Sequence, residues 1–234
     1  MFYYYYDWTY ILVLIGVLIC LAASARVKQV FAKYSRVQSR LRLTGKEAAE
    51  EILRRNGIYD VQVIHIPGNL TDHYNPGNKT LGLSDSVYQS SSVAAVGVAA
   101  HECGHAVQHA RGYAPLAIRG ALVPVANFGS ALAWPLILIG LLITGETSVF
   151  LINLGILLFS AAVLFQLITL PVEFNASRRA VDVLGASGML YPDELSSVKK
   201  VLGAAALTYV AGAASAILQL LRLLILTGGR RRND

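Results

Sequence analysis

Two histidines and a glutamate carry the most definite chemistry in this sequence. His101, Glu102 and His105 spell HExxH within residues 93–109, a run of small and apolar residues that contains no proline and so reads as a helix. Residues four apart on a helix stack on one face about 6 Å apart, so two imidazoles can share one tetrahedral ion. Glu102, the next residue round, can reach a water on such an ion and exchange a proton with it. His109 continues the same face but lies about 12 Å along the axis from His101, too far for a straight helix to bring all three onto one metal. The longer pattern HExxHxxGxxH also fails, because Gln108 stands at its glycine and Arg111 at its last histidine. Cys103 points away from the histidine face and reads as a small packing residue. A catalytic zinc site needs a third protein ligand and an open fourth position, so the third ligand has to come from elsewhere.

The elements that would position these residues belong to a membrane protein. The chain is 55% hydrophobic and 15% charged, with a mean hydropathy of +0.51, too apolar for an ordinary soluble domain. The excess is blocked. Residues 11–25, 120–144 and 147–172 carry no charge, and 201–227 is interrupted only by Arg222. Blocks of about 20 residues cross a bilayer, which predicts a mainly α integral membrane protein with three to four transmembrane helices. The net charge of +6 comes from lysines and arginines concentrated at the ends of these blocks, an anchoring pattern that argues against nucleic acid as a partner. Two cysteines, one in the first apolar block and one inside HExxH, offer no sensible disulfide and fit a reducing compartment.

Taken in order, residues 1–25 read as an N-terminal transmembrane anchor. Phe2, Tyr3, Tyr4, Tyr5, Tyr6 and Trp8 would form an interfacial aromatic belt. No lysine or arginine precedes the apolar block and six follow it by residue 42, the reverse of a cleaved signal. Residues 26–118 form the catalytic region. Thr44 and Glu47 make a capping box, Gly57 ends that helix, and Val61 to Ile66 is β-like. The turn residues Asn75, Pro76, Gly77 and Asn78 predict a hairpin or small sheet just before the HExxH helix. That sheet either offers an edge strand to an extended peptide or only supports the helix. His65 and His73 read as polar strand or loop residues. Residues 119–171 form a transmembrane hairpin broken by the turn at 144–148, with block three ending at Pro171. Residues 172–234 hold a further helix and a C-terminal apolar helix with small residues at Ala204, Thr208, Gly212 and Ala216. Eleven lysines and arginines in 26–118, four in 172–200 and none in 144–148 put the HExxH region on the cytoplasmic side, with the arginine-rich C-terminal tail dissenting.

Glu173 is the best candidate for the third ligand. It follows an apolar block at the start of an expected helix, on the side assigned to HExxH, where a carboxylate is costly unless paired or bound to a cation. Asp182, Asp193 and Glu194 are poorer candidates, because nothing draws them towards the membrane interface. The segments DHYNPGNKTLGLSDSVY, SSVAAVGVAAHECGHAVQH, PVEFNASRRA and AAALTYVAGA resemble the YugP-type neutral zinc metallopeptidases of bacterial membranes and, more distantly, the HtpX-type membrane proteases. The resemblance covers most of the chain from Leu70 to Leu220. It implies Zn2+ as cofactor, His101, His105 and Glu173 as its ligands on a gluzincin-like site, and Glu102 as catalytic acid/base. It further implies protein or peptide substrates, a lipid bilayer as setting, and a multi-pass place in the bacterial inner membrane. The distant relatives carry an aspartate four residues after the glutamate; here Ser177 stands at that position. Donors for the oxyanion are open among Tyr209, Arg178, Arg179 and His73. The rival reading is a non-catalytic membrane scaffold with a structural zinc, against which an intact Glu102 argues, since a structural site needs no general base.

Overall fold

Uninterrupted apolar runs become long helices, because a helix satisfies its own backbone hydrogen bonds where no water can. The computed structural model describes residues 7–230, so the residues Phe2, Tyr3, Tyr4, Tyr5 and Tyr6 of the expected aromatic belt, and Arg231 and Arg232 of the tail, lie outside the described residues. The elements in chain order are α1 (Tyr10–Tyr34), α2 (Gly45–Arg55), β1 (Gln62–Ile66), β2 (His73–Asn75), β3 (Thr80–Ser84), α3 (Val93–Ala110), α4 (Ala114–Leu142), α5 (Glu146–Ala186) and α6 (Pro192–Arg230). Four of these helices, α1, α4, α5 and α6, are long and apolar enough to cross a membrane. The fold is mainly α and membrane-type, with one small sheet.

The chain divides into two units. One comprises the chain up to Ala22, Ile118–Thr169 and the chain from Tyr209 onwards; the other comprises Ala23–Ala117 and Leu170–Thr208. In the first, Arg222 explains its place inside an apolar block: it is buried, donates to Asp7 at 2.8 Å and lies 4.2 Å from the Tyr10 ring centre. A charge within an apolar helix bundle is retained when it is paired in this way. Gly16 of α1 faces Ser215 of α6 so closely that a Cβ would lie 2.7 Å from the serine Oγ. Trp8 and Tyr10 remain largely exposed.

The second unit is built on local signals that the sequence displays. Thr44 accepts from the Glu47 amide while Glu47 accepts from the Thr44 amide, completing the capping box of α2. Gly57, with φ at +72°, follows its C-cap, a conformation that only glycine adopts without strain. The expected hairpin is β2–β3, antiparallel with Tyr74 opposite Leu81. Strand β1 then pairs in parallel with the other side of β3, giving the order β1-β3-β2. Ser92 caps α3 by accepting from Ala95, and α3 packs into a core with Ile52 and Leu53 of α2, Leu81 and Leu83 of β3, and Leu184 of α5.

The expected break at Pro171 does not occur. Helix α5 is continuous over 41 residues, with Pro171 inside it and Glu173 well within it. At about 1.5 Å per residue it is roughly 60 Å long, about twice a bilayer core. A proline within a helix forfeits one main-chain hydrogen bond. Here the turns beyond it are anchored by Val172, Ala176, Ala180 and Leu184, a stripe spaced four apart and fully buried.

Candidate functional site

Helix α3 presents His101 and His105 side by side, ring centres 4.9 Å apart and edge to face at 85°. Helix α5 brings Glu173 to them: its Oε2 is 3.2 Å from His101 Nε2 and 3.5 Å from His105 Nε2. The approach depends on Gly104, between the two histidines in sequence. A Cβ at this position would sit 2.6 Å from the Ala176 carbonyl oxygen, so only glycine lets the two backbones close to this distance. Two imidazole nitrogens and one carboxylate oxygen thereby lie within 4.8 Å of one another, and Glu173 is only 3% exposed. This donor set fits a zinc ion with three protein ligands and one open position.

Glu102 is buried beside the cluster, and its Oε2 accepts from the Tyr74 main-chain N–H at 3.0 Å. Strand β2 thus holds one carboxylate oxygen of Glu102 from the sheet edge. Asp72, just before that strand, accepts from the amide and hydroxyl of Ser84 at 2.8 and 3.0 Å. Burial raises the pKa of Asp72; the Ser84 bonds oppose the rise and the charge of Glu102 adds to it. At His105 burial disfavours the imidazolium, but the hydrogen bond to Glu173 and the charges of Glu102 and Glu173 outweigh it, and the pKa rises. A metal ion held by His105 would have to displace that proton.

Other singled-out residues have different partners. His109 meets the Tyr74 hydroxyl at 2.8 Å, pinning the end of α3 to β2. His65 pairs with Asp85 at 2.7 Å, and His73 meets the Thr71 carbonyl at 3.0 Å. Cys103 is buried against the Ala49 carbonyl, and burial pushes its thiol pKa well up, as suits a packing residue. Asp193 pairs with Arg40, and Glu194 accepts from the amides of Arg40 and Tyr191. Asp182 lines a cleft of about 320 Å³ with Arg111 and Arg179 on a neighbouring face of α3. Arg179 stacks over Tyr113 and donates to Asn175.

Each imidazole of the cluster also has a neutral partner at its second nitrogen. Ser177 Oγ lies 3.1 Å from His101 Nδ1, and Gln108 Oε1 lies 3.0 Å from His105 Nδ1. Gln108 entered the sequence reading only as the residue that breaks a longer motif. Its signal is a polar amide three residues after His105, one turn further along the face that carries both histidines.

The chain is similar to known proteins over most of its length. The family model described as "Putative neutral zinc metallopeptidase" matches residues 9–228. The "Putative membrane protease YugP" of Bacillus subtilis (strain 168) is 49% identical over 212 residues, which cover 90% of this chain and 93% of that protein. No solved structure matches the chain.

Proposed function

The chain belongs to the "Putative neutral zinc metallopeptidase" family, and on that premise we propose that it is a membrane-embedded endopeptidase whose zinc is held by His101, His105 and Glu173. The observation that carries the reading is the buried convergence of these three donors beside Glu102. Zinc bound there supplies Lewis-acid polarisation of a peptide carbonyl and lowers the pKa of water. Glu102 takes the proton of the attacking water and passes it to the leaving amine, as general base and then general acid. The Tyr74 N–H fixes Glu102 Oε2 and leaves the other oxygen to carry that proton. His101 and His105 would hold the ion through the Nε2 atoms that face Glu173 Oε2, and Glu173 would contribute the one anionic donor. The name of the Bacillus relative supports a membrane protease acting on proteins or peptides. A structural zinc would leave Glu102 without a task.

Metal removal tests the reading. A chelator should abolish cleavage of a denatured membrane-protein substrate by the purified full chain, with its circular dichroism unchanged. Zinc at one equivalent should restore it. Undiminished cleavage after the metal has fallen below a tenth of an equivalent would overturn the proposal.

The chain is a multi-pass membrane protein, and we place its active site on the cytoplasmic side, following the lysine and arginine distribution. Four spans would set both chain ends on the opposite side. Lys79→Cys and Glu146→Cys should then label with an impermeant thiol reagent from opposite faces, position 146 from outside intact cells. Labelling of position 79 from outside would reverse the orientation.

A further inference from the structure

Gln108 is fully buried, yet all three of its polar contacts are made. Its Nε2 donates to the Val172 carbonyl at 2.8 Å and to Asn175 Oδ1 at 3.0 Å, while Oε1 faces His105 Nδ1 at 3.0 Å. Asn175 Oδ1 also accepts from Arg179 Nε at 2.7 Å. The proton positions along this chain follow from its two ends. A main-chain carbonyl can only accept and a guanidinium can only donate. The Val172 carbonyl therefore requires the NH2 of Gln108 on its side. The Arg179 guanidinium requires the oxygen of Asn175 on its side, which again asks for the NH2 of Gln108. Oε1 of Gln108 is then left as an acceptor towards His105, so Nδ1 carries a hydrogen and Nε2, which faces Glu173, is the nitrogen left to take a metal ion. A flipped amide would set oxygen against oxygen and lose both donations. The Ser177 hydroxyl beside His101 can donate or accept, so it imposes no such choice.

We propose that Gln108 is the positioning residue of the metal site: anchored by the Val172 carbonyl and by Arg179 through Asn175, it locks His105 into the tautomer and ring orientation that bind the ion. The proposal rests on His105 being a ligand, as proposed above. It assigns to a neutral amide the task that a carboxylate performs beside many metal-bound histidines. Because Val172 and Asn175 flank Glu173 in sequence, the same amide ties the ring of one ligand to the backbone that carries another.

The test is zinc affinity of the purified full chain, measured by competition with a chromophoric chelator, together with the visible absorption of the Co2+ form. Gln108→Met keeps the volume and removes the acceptor. Its zinc affinity should fall by about 10- to 100-fold, the usual cost of losing such a partner, and its cobalt bands should shift. Gln108→Glu restores an acceptor to Nδ1 and should recover part of the affinity, although it forfeits both donations, to the Val172 carbonyl and to Asn175 Oδ1. Asn175→Leu removes the Arg179 end alone and should weaken zinc less than Gln108→Met, and it decides the matter if Gln108→Met does not fold. A residue that served packing only would lower the melting temperature of the zinc-free protein and leave affinity and cobalt bands unchanged, and that result overturns the proposal. His105→Ala, measured alongside, separates the two possible failures. Loss of zinc there with Gln108→Met at wild-type affinity removes the positioning role alone, whereas wild-type affinity in His105→Ala removes the ligand assignment and the positioning role with it.

Discussion

Glu102→Gln retains one zinc and loses about 10²- to 10⁴-fold in kcat/KM, the contribution of a positioned general acid/base. The amide is nearly isosteric with the carboxylate, and its oxygen can still accept the Tyr74 N–H that Glu102 Oε2 accepts now, so burial and geometry persist. What the amide cannot do is hold a proton taken from water. Glu102 is not one of the three residues that converge as metal donors, so metal content should stay stoichiometric. Metal analysis and steady-state kinetics on the same preparation check both halves. Cleavage at the wild-type rate would remove the hydrolytic mechanism, and loss of zinc would make Glu102 a ligand instead.

Glu173→Ala should lower zinc affinity by more than about 100-fold, beyond the 10- to 100-fold seen when only an outer partner is lost. The glutamate is the sole anion among the three donors, and its removal leaves two imidazoles, one short of the usual catalytic set. The fold should survive, because Glu173 neighbours Val172, Ala176 and Ala180 of the buried stripe of α5 but is not part of it. Asp182→Ala is the control. Asp182 lies more than two turns further along α5 and lines a separate cleft with Arg111 and Arg179, so zinc affinity should not move. Wild-type affinity in purified Glu173→Ala would refute the assignment of the third ligand.

Residues close in sequence carried their own evidence. The four-residue spacing of His101 and His105 needed only helix geometry to put both on one face, and Thr44 and Glu47 cap α2 through bonds that span three residues. The turn from Asn75 to Asn78 specified the β2–β3 hairpin for the same reason. The apolar blocks announced three to four long helices, and four form, because the length of a span is set by bilayer thickness and needs no partner. Pro171 misled: proline is penalised within a helix, but the penalty is one hydrogen bond, and the buried stripe beyond it outweighs that loss.

The amino-acid sequence by itself determined that the chain holds a HExxH helix within a membrane-type, mainly helical protein, since each of those features is a local period or a local length. Only the tertiary structure decided which carboxylate meets the histidines, because Glu173 reaches them across the contact that Gly104 permits with Ala176, and no spacing in the chain encodes that crossing. The parallel pairing of β1 with β3 and the part of Gln108 belong with it. A buried amide acquires its meaning from the carbonyl and the guanidinium at its ends, and those are supplied by a different helix.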